Sequence, residues 1–300
     1  MSVSTKQEAE YQRNPHPDFK GVEGSRPDWD KSAKSHFTKT VDPDWQLGGG
    51  ANELYTSTGG DKKDHVAIDP YEPGRPSPFN YKLLISTIVP RPIGFVSTIS
   101  GTKDGKEETM NLAPFSWFNM ISHDPPLFML GIASGLDKPK DSLRNIVETG
   151  ECVVNIISEH FLEAANACSV DAPPGSSEWV VSGLTPSHDS QTVRAPRVKE
   201  AIFSVECKLE SVREFESRST PGKKTGCLVV LEGTRFWVRE DAINADKNQV
   251  DLDVLRPISR LGGITYGRTT EVTELLRPVF AKDIGGEEGF EKLKETNGGA

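Results

Sequence analysis

The sequence predicts a mainly β protein, in which antiparallel strands form a Greek-key barrel and a few helices are inserted between them. Apolar, β-branched runs of strand length recur from residue 81 onward. These runs do not alternate regularly with helical patterns, which argues against a doubly wound parallel sheet. The first part of the chain lacks sustained apolar periodicity. We therefore predict a barrel with a long N-terminal arm.

The strands are predicted from their composition and from the turn residues around them. A short helix or turn near Tyr81 precedes a strand at Ile93–Ile99, which Pro92 can open without breaking a ladder. The turn-rich GTKDGKE follows, as in a hairpin. Further strands are predicted at residues 127–133, 151–157, 201–215 and 225–240. The loop SRSTPGKK is long enough to join the last two as a hairpin.

One inserted helix is predicted over PKDSLRNIVETG. Leu143, Ile146 and Val147 share a helical face, and Gly150 is placed to follow the last turn. A shorter helix is predicted at residues 160–168, and one or two helical turns at GFEKLKE.

The chain divides into three predicted parts. Residues 1–75 are rich in Gly, Pro, Ser, Asp and Lys, and we expect a disordered or loosely ordered arm. Its Trp29 and Trp45 are either docking points or isolated aromatics. The barrel domain is predicted at 76–276, and 277–300 form a polar tail.

Composition excludes several classes of function. The net charge of −9 and the absence of Lys/Arg clusters disfavour nucleic-acid binding. No apolar run reaches the roughly 20 residues of a membrane span, and the N-terminus resembles neither a signal peptide nor a presequence. We expect a cytoplasmic protein. The cysteines form no CxxC pair, and we expect reduced core residues at Cys152, Cys168, Cys207 and Cys227.

Common catalytic motifs are absent from the sequence. It contains no GxGxxG after a strand, P-loop, HExxH or GxSxG. The six histidines lie in the arm or singly in loops and helices, so no metal site is predicted. His123 lies beside the candidate site described next, either as a surface loop residue or in catalysis.

The segment NLAPFSWFNMISHDPPL (111–127) has an unusual composition. Polar Asn111, Ser116 and Asn119 alternate with aromatic residues, and Pro114 argues against a central strand. Such a mixture suits a flat heterocycle with apolar faces and polar edges, as in a flavin. The helix beginning near Lys140 offers free backbone N–H groups and Ser142 for a phosphate. Alternatively, Asp137 or Asp141 caps this helix.

These segments resemble the flavin reductase-like, FMN-binding split-barrel family. The resemblance spans roughly residues 75–275 and is carried by a series of motifs in the family's order. They are Pro90–Thr98, Asn111–Asn119, Asp124-Pro125-Pro126, Lys140-Asp141-Ser142 with Arg144-Asn145, Thr149-Gly150-Glu151 with Val153-Val154-Asn155, Gly183-Leu184, Pro196-Arg197-Val198 and Arg260–Gly263.

The resemblance implies a six-stranded Greek-key split barrel, usually a homodimer with FMN near the subunit interface. It implies a cofactor site formed by Arg91, Ser97, Thr98, Asn111, Ala113, Pro114, Phe115, Ser116, Asn119, Lys140, Asp141 and Ser142. The last three lie at the phosphate end, and Asn119 either contacts FMN or braces the loop. Arg91 forms either an ion pair or a phosphate contact.

The implied activity is transfer of hydride from NAD(P)H to flavin, with electrons passed to an unidentified acceptor. A noncatalytic FMN-binding module or flavin carrier is the alternative, and an interaction scaffold is a third. One departure from the family motivates the alternative: several reductases carry a late histidine, whereas no histidine follows His188 here. Arg260 and Tyr266 are the nearest polar candidates for that position.

Overall fold

The computed structural model describes residues 15–101, 108–173 and 176–297. The helices described are α1 Phe19–Gly24, α2 Glu53–Ser57, α3 Ser77–Thr87, α4 Asp141–Thr149, α5 Leu162–Ala167, α6 Glu178–Ser182, α7 Leu252–Leu255 and α8 Gly286–Thr296. Short 3-10 turns occupy Gly60–Lys62 and Glu159–Phe161, and a π-helical turn occupies Phe280–Ile284.

The strands described are β1 His36–Phe37, β2 Gly94–Ile99, β3 Met110–Phe115, β4 Phe118–His123, β5 Pro126–Ile132, β6 Glu151–Ile156, β7 Pro186–Ser187, β8 Arg197–Val198, β9 Phe203–Glu216, β10 Lys224–Val238, β11 Ile258–Arg260, β12 Tyr266–Arg268 and β13 Glu271–Val272.

The chain forms two compact units. One contains Pro70–Thr269 together with the described residues up to Asp30, and the other contains Lys31–Asp69 together with the residues from Thr270 onward. In the second unit, β1 pairs in parallel with β13. The predicted division of the chain at residues 75 and 276 stays a prediction.

A seven-stranded sheet in the order β3-β2-β6-β9-β10-β5-β4 dominates the first unit. All its neighbouring strands are antiparallel. Its two edge strands, β3 and β4, follow each other in the chain. The carbonyl of Trp117, which lies between them in the sequence, accepts a hydrogen bond from Gly131 N of β5 at 2.7 Å. Because one continuous segment supplies both edges, the sheet curls into a barrel. This confirms the predicted mainly β split barrel, although the sheet has seven strands and not the six that the family resemblance implied.

The polar and aromatic segment after residue 110 is more regular than its composition predicts. It forms β3 and β4, separated only by Ser116 and Trp117. Pro114 interrupts no ladder, because β3 is an edge strand that pairs only with β2. The expectation that Pro114 excludes a central strand therefore holds, but the segment is a strand all the same.

The other predicted elements are confirmed with small shifts at their ends. The long hairpin is formed by β9 and β10, and the predicted strands at residues 127–133 and 151–157 are β5 and β6. Helix α4 is followed by Gly150, whose φ of 70° is left-handed. Glycine adopts this conformation readily and commonly follows a helix. The four cysteines are free and buried. The predicted turn at GTKDGKE lies largely outside the described residues.

Strand β2 is buried on both of its faces. Val96 packs in the barrel core with Leu143 and Ile146 of α4. Phe95 points to the opposite face, where it packs in a second cluster with Trp179 of α6. Burying these apolar side chains is the main favourable contribution to folding. The same alternation places Thr98 on the face of Val96 and Ser97 on the face of Phe95.

Glu206 is a fully buried carboxylate that fastens the loop before β8 to the sheet. Its Oε1 accepts hydrogen bonds from Gln191 N at 2.9 Å and Trp237 Nε1 at 2.6 Å, and its Oε2 accepts from the amide and hydroxyl of Thr192. Burial alone raises a carboxyl pKa, but these hydrogen bonds hold the pKa of Glu206 below its usual value.

Candidate functional site

The site begins with the pairing of β2 and β3. Thr98 and Asn111 are directly opposite each other in this ladder, so their side chains share a face. That face is covered by the first turns of α4, where Ser142 and Asn145 are three residues apart and lie on one side of the helix. Two polar pairs therefore meet between sheet and helix.

The first pair joins Asn111 to Ser142. The side-chain amide of Asn111 lies 2.9 Å from Ser142 Oγ, and both residues are buried. On its other side, the amide lies 3.2 Å from Oε2 of the buried Glu178. The same carboxylate oxygen accepts a hydrogen bond from Leu112 N at 3.2 Å. Asn111 thus connects a buried carboxyl group to the first turn of α4.

The second pair joins Asn145 to Thr98. Asn145 Nδ2 donates to Thr98 Oγ1 at 3.0 Å, and both residues are fully buried or nearly so. Asn145 Oδ1 is buried without a hydrogen-bond partner among the described residues. Such an unsatisfied acceptor costs about 1–3 kcal/mol, and Asn145 also lines the pocket described next.

The N-terminus of α4 lacks a side-chain cap from its N-cap residue. Its N-cap residue, Lys140, makes no side-chain capping hydrogen bond. The carboxylate of Asp141 instead pairs with Arg144 Nη2 at 2.5 Å. A pocket opens beside this turn, and it is lined by Thr109, Met110, Asn111, Asp141, Arg144, Asn145 and Ser176. The arrangement suits an anion, because the helix dipole and Arg144 both favour negative charge.

Glu178 lies in an unusual electrostatic setting. Burial raises its pKa, and the nearby charge of Asp141 raises it further, against hydrogen bonds from its own amide and that of Leu112. The neighbouring Cys168 thiol has its pKa raised to about 11, chiefly by burial. A carboxyl group with a raised pKa beside a pocket is typical of functional sites.

The remaining predicted residues lie on or beside β3, on β4 and at the start of α4. Ala113, Pro114 and Phe115 follow Asn111 on the edge strand β3, with Ser116 after them. Lys140 is exposed at the start of α4. Asn119 is exposed on β4, and its Oδ1 accepts from Met120 N at 2.9 Å.

Two predicted residues point elsewhere. Ser97 faces away from Thr98, and its Oγ is buried without a partner among the described residues. Arg91 is also buried, and its guanidinium donates to the carbonyls of Ile85 and Ile88 at 2.6 Å and of Leu261 at 2.8 Å. Arg91 thereby ties the end of α3 to the loop after β11.

Sequence reasoning did not select Arg144, Asn145 and Glu178 as site residues. The signal for Arg144 and Asn145 was present, because they lie one helical turn from Lys140 and Asp141. Nothing local marked Glu178, which reaches the site only through tertiary packing of α6 against β3. The late candidates Arg260 and Tyr266 stack on each other, with the guanidinium carbon 4.3 Å from the ring centre.

Comparison with known proteins identifies the family. The model of the flavin reductase like domain matches residues 86–252, a segment that contains β2, β3, α4 and α6. This chain belongs to that family. The predicted family membership is therefore confirmed, and the polar cluster beneath α4 lies inside a flavin-related domain.

Solved structures agree with this assignment. Nitrilotriacetate monooxygenase component B from Bacillus cereus is 35% identical, with a TM-score of 0.63 over 71% of this chain and 100% of that one. The 2-nitrobenzoate 2-nitroreductase NbaA of Pseudomonas fluorescens is 32% identical, with a TM-score of 0.60 over 72% and 98%. A protein with a split barrel domain from Shewanella frigidimarina, 19% identical, has a TM-score of 0.58 over 72% and 100% and shows the fold alone.

Within the described ranges, no group of three or more His, Cys, Asp or Glu side chains is placed to hold a metal ion. None of the helices in the same ranges combines the length and apolar character needed to cross a membrane.

Proposed function

We propose that this protein is an FMN-binding oxidoreductase of the flavin reductase type, which uses NAD(P)H as hydride donor and passes electrons to an acceptor. The observation that carries the proposal is the buried polar cluster of Thr98, Asn111, Ser142 and Asn145 at an uncapped helix N-terminus. It lies within a flavin reductase-like domain. The two relatives described as a monooxygenase component and a nitroreductase support redox chemistry.

The residues present fit a phosphorylated flavin. The free N–H groups of the first turn of α4, with Ser142 and the cations Lys140 and Arg144, would hold the phosphate. The unsatisfied Oδ1 of Asn145 would accept from a hydroxyl group of the ligand. The edge strand Ala113–Phe115 and Ser116 would lie along the ring, where backbone N–H groups stabilise negative charge. Asn119 lies further along that segment.

FMN, when bound, would accept the hydride and release electrons one or two at a time. The protein would place the ring and exclude water from it. Thr98 supports this arrangement because its hydroxyl fixes the Asn145 amide. Ser97 and Arg91 would support the site indirectly. Ser97 lies on the opposite face of β2, and Arg91 fixes the backbone carbonyls that it binds.

We also propose that the protein is a homodimer. Exposed apolar residues of the first unit include Leu84 of α3, Ile88 just after it, and Met120 and Ile121 of β4. The rings of Tyr81 on α3 and Trp117 just before β4 have centroids 6.3 Å apart. Exposed apolar residues grouped on one surface mark a protein contact, and a second copy would present the same residues. Leu84→Asp should convert a dimer to a monomer in analytical ultracentrifugation, whereas a wild-type monomer would contradict the proposal.

The oxidoreductase proposal is tested by spectroscopy of the purified protein. We expect bound FMN to give a visible flavin band that bleaches when NADH or NADPH is added anaerobically. At acidic pH, Ser142→Ala should raise the Kd for FMN about tenfold, because it removes a hydrogen bond to a charged group, and should leave riboflavin binding unchanged. Ser211→Ala, at an exposed position on β9, is the matched control.

The other outcomes decide between the alternatives. FMN that binds but is not bleached by either nucleotide would contradict the reductase and favour the noncatalytic flavin carrier, which the lack of a histidine after His188 motivates. Protein that binds neither FMN nor FAD would overturn both flavin hypotheses and leave the scaffold.

A further inference from the structure

A continuous chain of polar contacts leads from the protein interior to the N-terminus of α4. It starts at Glu178 Oε2, passes through the amide of Asn111 at 3.2 Å, and ends at Ser142 Oγ, 2.9 Å from that amide. All three residues are more than nine-tenths buried. Their hydrogen atoms therefore have few alternative partners, and the state of one group constrains the next.

These heavy-atom positions admit two hydrogen-bond arrangements. If Glu178 is ionised, the Asn111 amide must turn its nitrogen toward the carboxylate, and its oxygen then accepts the Ser142 hydroxyl proton. If Glu178 is protonated, its O–H can donate to the Asn111 oxygen, and the Asn111 nitrogen donates to Ser142 Oγ. Only the second arrangement leaves the Ser142 proton free for a ligand.

Burial, and to a smaller extent the charge of Asp141, raises the pKa of Glu178. Asp141 on α4 opposes a second negative charge, although Arg144 partly neutralises Asp141. Cys168, which directly follows α5 and whose thiol lies 3.7 Å from the Glu178 carbonyl, carries no charge at neutral pH because burial raises its pKa to about 11. Burial raises the pKa of Glu178 above that of an ordinary glutamate.

We propose that Glu178 is a positioning residue: its protonation, transmitted through the Asn111 amide, decides whether Ser142 donates its hydroxyl proton to an anionic group at the N-terminus of α4. The inference rests on the proposed function for the identity of that anion, the phosphate of FMN. Ser142 is a donor to the ligand below the pKa of Glu178 and is lost as a donor above it. Affinity for FMN therefore falls as the pH rises through this titration.

The test measures the Kd for FMN as a function of pH in the full chain, with riboflavin as the ligand that lacks a phosphate. Wild type should lose about tenfold in FMN affinity across the Glu178 titration, with no matching change for riboflavin. Glu178→Gln can donate to Asn111 at every pH, so its profile should lack this loss. Glu163→Gln, an exposed change on α5, should keep the wild-type profile.

Two features keep the result unambiguous. The phosphate of FMN titrates with a pKa of about 6, but this contribution is common to all variants and cancels in their ratios. Ser142→Ala removes the end of the relay, so it should show the weak, high-pH affinity at every pH. If Glu178→Gln or Ser142→Ala retains the wild-type pH profile, the relay is overturned.

A second readout needs no flavin. The side-chain ¹⁵N–¹H signals of Asn111, assigned by their loss in Asn111→Asp, should shift with pH in the wild-type protein and stay constant in Glu178→Gln. Absence of that shift in the wild type would also refute the relay. Failure to bind FMN at any pH, with the shift present, would overturn the proposed function and leave the relay standing.

Discussion

Replacing Glu206 by glutamine tests whether its buried carboxylate holds the loop before β8 on the sheet. The carboxylate accepts four hydrogen bonds, two at each oxygen. A glutamine nitrogen at the Oε1 position would face Gln191 N and Trp237 Nε1, two donors that cannot accept a hydrogen bond. At the Oε2 position it would oppose only Thr192 N, because the Thr192 hydroxyl can turn to accept. The second orientation is therefore the less costly.

The magnitude follows from that geometry. Glu206→Gln loses one charge-assisted hydrogen bond, leaves one buried N–H unsatisfied and weakens the remaining bonds, so we expect the free energy of unfolding to fall by about 2–4 kcal/mol. Urea unfolding measures it, with the exposed Glu232→Gln on the same sheet as control, expected within about 0.5 kcal/mol of wild type. A decrease below about 1 kcal/mol for Glu206→Gln would refute the reasoning.

The same variant has a pH signature. The pKa of Glu206 is lower in the folded protein than the usual 4.5, so its contribution to stability is present above that usual pKa. The contribution is lost as the pH falls through the lowered folded value. The difference in unfolding free energy between wild type and Glu206→Gln should shrink in acid, and a difference that grows there would contradict the assignment.

Three further predictions concern the core and the thiols. Ile146→Ala, fully buried on α4, should lower the free energy of unfolding by about 2–5 kcal/mol, whereas Val147→Ala on the exposed side should change it by about 0.5 kcal/mol or less; equal effects would refute the packing. Gly94→Ala should cost about 1–3 kcal/mol in thermal unfolding, since its Cβ would approach the Phe118 ring to 2.9 Å, and a neutral result would contradict that contact. All four cysteines are buried and the pKa of Cys168 is raised to about 11, so iodoacetamide should label them far more slowly in native than in urea-unfolded protein by mass spectrometry, and rapid native labelling would count against their burial.

Much of the barrel was predictable because its strands and α4 carry local signals. The β-branched runs, the hairpin loop of β9 and β10, and Gly150 after α4 each depend on neighbouring residues alone. The regular strand β3 was missed because Pro114 was weighed as if the strand were central. Whether a strand lies at an edge depends on the sheet order, which local composition does not contain.

The site was predictable in part for the same reason. Asn111 and Ser142 were selected for their residue types, and the fold brings them within 2.9 Å. Ser97 was grouped with Thr98 because they are adjacent in the sequence, yet adjacent residues of a strand face opposite ways. Glu178 carried no local signal, since it reaches the cluster only through the packing of α6 against β3.

The cluster beneath α4 depends on the register between β2 and β3. The pairing of Thr98 with Asn111 places both side chains on the face that α4 covers. A shift of one residue would turn Asn111 to the other face and bring the apolar Leu112 against Ser142. Leu112 is fully buried in the second core cluster, so that shift would also expose a core residue to a polar setting. The alternation that buries the barrel core therefore also selects the register that brings the polar cluster together on an edge strand.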